Sequence, residues 1–426
     1  MKSSSIEEIK KEALKRIKPR EEERRRIDKL CAELLDALNG ITEGEALLAG
    51  SIAKDTFLSG DRDIDIFIVY DKEMSEKELR KEIRTLGRKI FGEVEERYAQ
   101  HPYVHAIYKG FEIDLVPAFR FSGRVKSSVD RTPEHTKFVL QHTDEKKRDK
   151  IRILKQFAKG TGIYGAEARV QGLSGYLCEL FIIRFGDFEA FLEKAKNLQE
   201  GEVISFNGSW KKEKSALVFI DPVDNERNVA ASLSLENLEF LRSAAREFLE
   251  HPKITFFFPN EPSLGEKYPE DRIFAVDVSE AIELRIEDIY FPQLRKTANS
   301  IAKALEEFGV EKKAIYCERG RAILFFLLKK KKLDRIKEHT GPPLAMEQNV
   351  KEFIKKWGKE RCYVKDGRLY ARIEREAVTP EQVLQREKIG VGKYMKREKI
   401  KAIERIPAET KVFLIKHFSG KKPWEF

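Results

Sequence analysis

Residues 50–70 read GSIAKDTFLSGDRDIDIFIVY, a Gly-Ser turn followed by a strand whose first half alternates acid and isoleucine. Alternate strand residues face the same way. Asp63 and Asp65 therefore share one face, with Cα atoms roughly 6.5–7 Å apart, while Ile64, Ile66 and Ile68 take the other. An interior strand normally excludes carboxylates, because an unpaired one is costly to desolvate. At an effective dielectric of about 20, two like charges at that range repel by roughly 2–3 kcal/mol, so something cationic should offset them. Hard divalent ions such as Mg²⁺ take oxygen ligands, and a pair of ions about 3.5–4 Å apart can be bridged by carboxylates at this spacing. Neutralising lysines or a wet edge-strand face are the commoner explanations of an isolated Asp-x-Asp.

Two neighbouring features shift that balance. FEIDLVPAF (111–119) is a second strand with the same alternation, offering Glu112 and Asp114 on one face. Gly50-Ser51, at the turn from the short strand ALLAG into an expected helix over 51–58, supplies backbone N–H groups and a helix dipole suited to a triphosphate. The Ser51 hydroxyl adds a donor, and Lys54, three residues on, adds a positive charge.

The chain of 426 residues is too long for one core. With 36% charged and 41% apolar residues it reads as globular, and a net charge of +10 favours a polyanionic partner. Cys31, Cys178, Cys317 and Cys362 form no CxxC pair, which argues against a zinc site or disulfide framework and fits a reducing, cytoplasmic setting. The N-terminal stretch has no apolar signal core, and AILFFLL is too short to span a bilayer, so no membrane role is expected.

The expected fold is α+β and multidomain. One or two amphipathic helices cover 6–38, and strands and a helix alternate from the Asp-x-Asp strand through 119 in a mixed sheet. Residues 1–140 form the first unit, and 141–258 a second, mostly helical one. The third, 259–426, follows a linker at FFFPNEPSLGEKYPE with a β-α-β-β-α order like that of small RNA-binding sheets, and then a hairpin turning at Asp366-Gly367. A basic helical tail closes the chain, in which Tyr394 among Lys393, Lys396 and Arg397 is a candidate RNA contact.

The order Gly-Ser, about ten residues, Asp-x-Asp, then a later strand Asp resembles the DNA polymerase beta-like nucleotidyltransferase superfamily. HPYVHAIYKGFEIDLVPAF, SSVDRTPEHTKF, GIYGAEARVQGLSGYLCEL and FIDPVDNERNVAASLS narrow the resemblance to the archaeal, class I CCA-adding enzymes, tRNA nucleotidyltransferases with head, neck, body and tail. That resemblance implies template-independent addition of C, C and A to the tRNA acceptor arm from CTP and ATP, with two Mg²⁺ ions. It implies metal ligation and catalysis by Asp63, Asp65 and Asp114, and nucleotide binding by Ser51, Lys54, His135, Lys155, Tyr164 and Arg227. Lys54 stands where arginine is more usual. Members of the family often pair as homodimers. Taken alone, His135 reads as a helix-surface residue, Lys155 and Arg227 as solvated charges, Tyr164 as turn packing, and His101 and His105 as structural. The rival readings are a poly(A) polymerase or other superfamily member, and a non-catalytic RNA-binding protein.

Overall fold

The computed structural model describes residues 5–72, 74–98, 102–120, 128–207, 209–210, 215–282, 286–318, 320–386 and 389–426. Two compact units divide the chain: Met1–Glu261 with Lys422–Phe426, and Pro262–Lys421.

In the first unit, α1 (Ile6–Ile17) opens with a reciprocal Ser5–Glu8 capping box, and α2 (Glu21–Asn39) begins just past Pro19. Then come β1 (Glu45–Leu48), the single turn α3 (Gly50–Ala53), β2 (Asp63–Tyr70), α4 (Glu76–Phe91), β3 (Glu95–Tyr98), β4 (Pro102–Tyr108) and β5 (Phe111–Phe119). The sheet order is β1-β2-β5-β4-β3, with β2 and β5 parallel and the other pairs antiparallel. Ile64, Ile66, Ile68, Ile113 and Leu115 bury one face against Leu30 and Leu34 of α2 and Ile83 and Leu86 of α4. The aspartates lie on the opposite face, further along which Phe67, Val69 and Ala118 are buried in a smaller cluster.

The helical part contains α5 (Thr132–His142), α6 (Glu145–Thr161), α7 (Gly175–Phe185), α8 (Phe188–Ala195), the short β6 (Glu202–Ile204) and β7 (Leu217–Phe219), and α9 (Leu235–Glu250). Its core is rich in phenylalanine, including Phe157, Phe181, Phe188, Phe191, Phe219 and Phe248. Ile9, Ala13 and Ile17 of α1 join this core, as do Phe256, Phe257 and Trp424. Phe256 and Phe257 head the stretch read as a linker, yet aromatic burial fixes them, and the boundary between units falls after Glu261.

The second unit carries β8 (Ile273–Asp277), α10 (Glu287–Ala304), β9 (Val310–Glu318), β10 (Arg321–Leu328), β11 (Ile336–Pro343), α11 (Glu347–Trp357), β12 (Cys362–Lys365), β13 (Arg368–Glu374), α12 (Pro380–Arg386), β14 (Lys401–Ala402) and α13 (Lys411–Phe418). Its main sheet runs β14-β8-β10-β9, the fourth-first-third-second order of a split β-α-β sheet. The expected hairpin forms with Asp366 and Gly367 both at positive φ, but a strand, β11, precedes the helix expected after β10. A two-stranded hairpin is marginal alone, and β11 supplies its third strand. The expected helical tail holds the helices α12 and α13, but around Tyr394 between them it is irregular, anchored where Gln293 and Thr297 side chains of α10 accept from Lys393 N and Gly392 N, and β14 then pairs with β8.

Candidate active site

Parallel pairing sets Asp63 beside Glu112 and Asp65 beside Asp114, so the three expected metal-ligating aspartates lie in register on the face of β2 and β5 opposite α2 and α4. Burial, then Asp114 and Asp63, push Asp65 up to about 6. Asp63 is raised too, by desolvation and by Glu112, Asp61 and Asp114. The lysines that oppose these shifts are bonded elsewhere, Lys159 to Asp61 at 3.0 Å and Lys54 to Glu179 at 2.6 Å. Gly50 (φ 66°) passes so close that a Cβ there would lie 1.9 Å from Asp65 Oδ2. Among the described residues no three His, Cys, Asp or Glu side chains already converge closely enough to hold an ion. The hard-oxygen donors, the uncompensated charge and the glycine cradle nevertheless suit divalent cations.

His105 on β4 lies opposite Asp114, and its Nδ1 is 2.7 Å from Asp114 Oδ1. It is buried and braces a carboxylate, consistent with its expected structural role. His101 lies outside the described residues.

The helix expected over 51–58 is only one turn. Asp55 takes φ 51°, a left-handed conformation aspartate tolerates, where Arg24, Arg148 and Arg152 converge on its carboxylate. Lys54 thus sits just past α3, and the chain turns Thr56 inward. Lys54 Nζ bonds Glu179 Oε2 at 2.6 Å, while Lys155 Nζ bonds Glu179 Oε1 at 2.8 Å and Thr56 Oγ1 at 2.9 Å. Thr56 Oγ1 donates to the same Glu179 Oε1 at 2.6 Å. Lys155 is 2% exposed, so it is no solvated charge. Burial pushes its pKa down, whereas Glu179, despite burial, is held below the usual carboxylate range by Lys155 and Lys54. Gly175 leaves room for the Tyr164 hydroxyl, which a Cβ would meet at 2.9 Å, with Lys155 Nζ at 3.7 Å. Tyr164 therefore borders this lysine cluster rather than only packing a turn.

A second buried carboxylate, Asp221, lies just past β7. Its Oδ2 takes Arg227 Nη1 at 2.7 Å and lies 2.8 Å from His135 Nε2, and its Oδ1 accepts from the Tyr176 hydroxyl at 3.3 Å. His135 is 7% exposed and stacks on Tyr176 with centroids 4.1 Å apart, so it is not the surface residue its helix pattern suggests. Burial lowers its pKa although Asp221 raises it, while burial raises Asp221 but His135, Val223 N and Arg227 hold it down to about 2.

The structure thus groups Asp63, Asp65 and Asp114 on one sheet face, Lys54 with Lys155, and His135 with Arg227. Sequence reasoning did not single out Glu179, Thr56, Asp221 or Tyr176. A lone acid in the apolar run GYLCELFII was a readable signal for Glu179, because buried charge demands partners. Among the tail candidates, Lys393 and Lys396 are exposed, Lys393 Nζ lies 5.3 Å from the Tyr394 ring, and the Arg397 guanidinium donates to the Leu384 carbonyl.

Residues 27–143 match the family described as nucleotidyltransferase domain, 149–258 tRNA nucleotidyltransferase, second domain, and 273–404 CCA-adding enzyme, C-terminal domain. The chain is 36% identical over 390 residues to the CCA-adding enzyme of Archaeoglobus fulgidus, covering 88% of each chain. It is 38% identical over 381 residues to that of Methanothermobacter thermautotrophicus, covering 84% of this chain and 83% of the relative. Against that of Methanocaldococcus jannaschii, identity is 34% over 399 residues, covering 87% of this chain and 88% of the relative. With similarity of this depth along nearly its whole length, the chain belongs to the archaeal CCA-adding enzymes, the tRNA nucleotidyltransferases.

Proposed function

We propose that this protein adds C, C and A in turn to the 3′ end of tRNA from CTP and ATP, releasing pyrophosphate, with Asp63, Asp65 and Asp114 holding two Mg²⁺ ions. The observation that carries the site assignment is the in-register pairing of Asp65 with Asp114, with which no lysine among the described residues forms an ion pair. When bound, divalent cations supply acidification of the primer 3′-hydroxyl and screening of the triphosphate charge. The chain's own residues do the rest. Ser51, Lys54, Lys155 and Tyr164 bind and orient the phosphates for in-line attack at the α-phosphorus, with no covalent enzyme intermediate. His135 and Arg227, fixed on Asp221, meet the nucleoside end of the substrate and select C and then A together with the RNA backbone.

The division into a catalytic head (1–140), a helical neck (141–258) and a tRNA-binding body with tail (259–426) is part of this reading. Lys393, Tyr394 and Lys396 offer charge and a ring to the acceptor arm, with Arg397 supporting the segment from within.

The test is primer extension on tRNA lacking its 3′ CCA, with CTP and ATP separately and together, followed by product sequencing. C, C and A in limited number is the expected result. Long A tails would replace this reading with a poly(A) polymerase.

A further inference from the structure

The three donor positions of Lys155 Nζ are all met: Thr56 O at 3.3 Å, Thr56 Oγ1 at 2.9 Å and Glu179 Oε1 at 2.8 Å. Lys54 Nζ differs. Its hydrogen bond among the described residues is to Glu179 Oε2, leaving two N–H groups uncommitted, and the Tyr176 ring lies beside it, with the centroid at 5.5 Å. A buried carboxylate thus grips two ammonium groups by its two oxygens, one saturated and one with donors to spare. Two lysines confined in this way would repel one another without an anion between them, and a buried lysine readily sheds its proton. With Glu179 ionised, the cluster as a whole keeps one surplus positive charge.

We infer that Glu179 is a positioning residue for the substrate triphosphate: it holds the Lys54 ammonium with free donors ready for phosphate oxygens, while Lys155 and Thr56 lock Glu179 in place. This rests on the proposal that Lys54 binds the nucleotide phosphates. Within the proposed phosphate-binding set this divides the labour: Lys54 has donors free for the ligand, whereas Lys155 adds positive charge beside it while bracing the anchor. Other titratable groups acting on the cluster include Cys178 on α7, which is neutral at ordinary pH because burial raises its pKa to about 12, Asp65 on β2 and His135 on α5, which feel Lys54, and Tyr164 and Tyr176, which feel Glu179. None of them bridges the two lysines as Glu179 does.

The experiment measures kcat and KM for CTP and ATP, and inhibition by inorganic pyrophosphate, with saturating primer tRNA. Glu179→Gln is expected to raise KM for both nucleotides by about tenfold and weaken pyrophosphate inhibition to match, with kcat within about threefold of the parent. An equal rise for the two nucleotides reports the phosphate end, whereas general misfolding lowers kcat. Since the Gln variant leaves two buried lysines unpaired, Lys155→Met and the double variant Lys155→Met/Glu179→Met form a second test. The double change replaces a buried ion pair by apolar groups of similar volume, which folds tolerate. It is expected to raise KM well above Lys155→Met alone, because only the double variant loses the anchor for Lys54. Equal KM in these two variants overturns the inference. Lys54→Met separates the two levels of argument: if it raises KM while the Glu179 variants do not, only the positioning role falls, and if it leaves KM unchanged, the phosphate assignment of Lys54 falls with it.

Discussion

Asp65 and Asp221 belong to the same unit, yet burial and like charge push the first up to about 6 while His135, Val223 N and Arg227 draw the second down to about 2. The difference is not depth alone, since Glu179, fully buried, is also held low by its two lysines. What differs is the company. The helical part of the unit surrounds Glu179 and Asp221 with lysine, arginine, histidine and hydroxyl partners, so those two acids serve as fixed scaffolds. The sheet face leaves Asp63, Asp65 and Asp114 to repel one another, which costs stability unless a mobile cation arrives. Like charges gathered on one face, beside a region whose buried acids each have protein partners, are the pattern expected of a site suited to divalent cations.

The most severe way to break that comparison is to remove one member of the sheet-face set. Asp114→Ala should lower nucleotide incorporation by about 10³-fold, the scale for losing one preorganised charge-stabilising group, while tRNA binding measured by filter retention stays close to the parent. Retained activity would mean that Asp65 and Asp114 are ordinary neighbours on a wet strand.

Asp65→Asn sharpens the same contrast through stability. The folded carboxyl, raised to about 6 from 3.8, binds protons more tightly than the unfolded one. The parent's relative stability is therefore greatest below the unfolded value, falls as pH rises through the interval between the two values, and is lowest above the folded one. In metal-free buffer at pH 8 the Asn variant should accordingly be more stable by roughly 2–3 kcal/mol, and the gap should close at pH below the unfolded value. Denaturant melts at the two pH values test this, and excess Mg²⁺ at pH 8 should narrow the gap by stabilising the parent. An Asn variant less stable at pH 8 would show that the sheet face carries no stored repulsion.

How far the sequence led follows from the same physics. Period-two alternation in DIDIFIVY and FEIDLVPAF made both strands and their acidic face readable, and a parallel register completes the alignment. The buried anchors were harder, because each pairs with residues far along the chain: Glu179 meets Lys54 across 125 positions and Asp221 meets His135 across 86. Local pattern carries no record of such pairs, so His135 and Lys155 read as surface residues except through resemblance. The one-turn α3 was hidden for a similar reason, since it is Arg24 of α2 and Arg148 and Arg152 of α6 that hold Asp55 left-handed. In the second unit the β8-to-β10 order was legible, but β11, with Gly341, Pro342 and Pro343, lacks the composition of a strand and owes its state to pairing with β13.

His105 stands between the two regimes, its ring bracing Asp114 at 2.7 Å. His105→Phe keeps the bulk and deletes the hydrogen bond, freeing the Asp114 carboxylate to turn. The expected outcome is a fall in kcat of about 10–100-fold with KM for CTP unchanged, the size seen when a partner that orients a metal-ligating group is removed. Full activity in steady-state assays would mean that strand pairing alone orients Asp114.

The smallest effect is expected at Lys54, where the family resemblance led to an expectation of arginine. Arginine there would reach farther, stack its plane on Tyr176 and give Glu179 one edge of a five-donor fork while turning the other toward phosphate. Lysine makes the same two engagements with a single rotating ammonium, so charge is preserved and only the geometry of phosphate contact changes. Lys54→Arg should therefore lower KM for CTP and ATP alike by about threefold or less, with kcat unchanged. A rise in KM instead would show that the pocket between Glu179 and Tyr176 is shaped to a compact ammonium, so that the cation-rich region is finely fitted to its own residues.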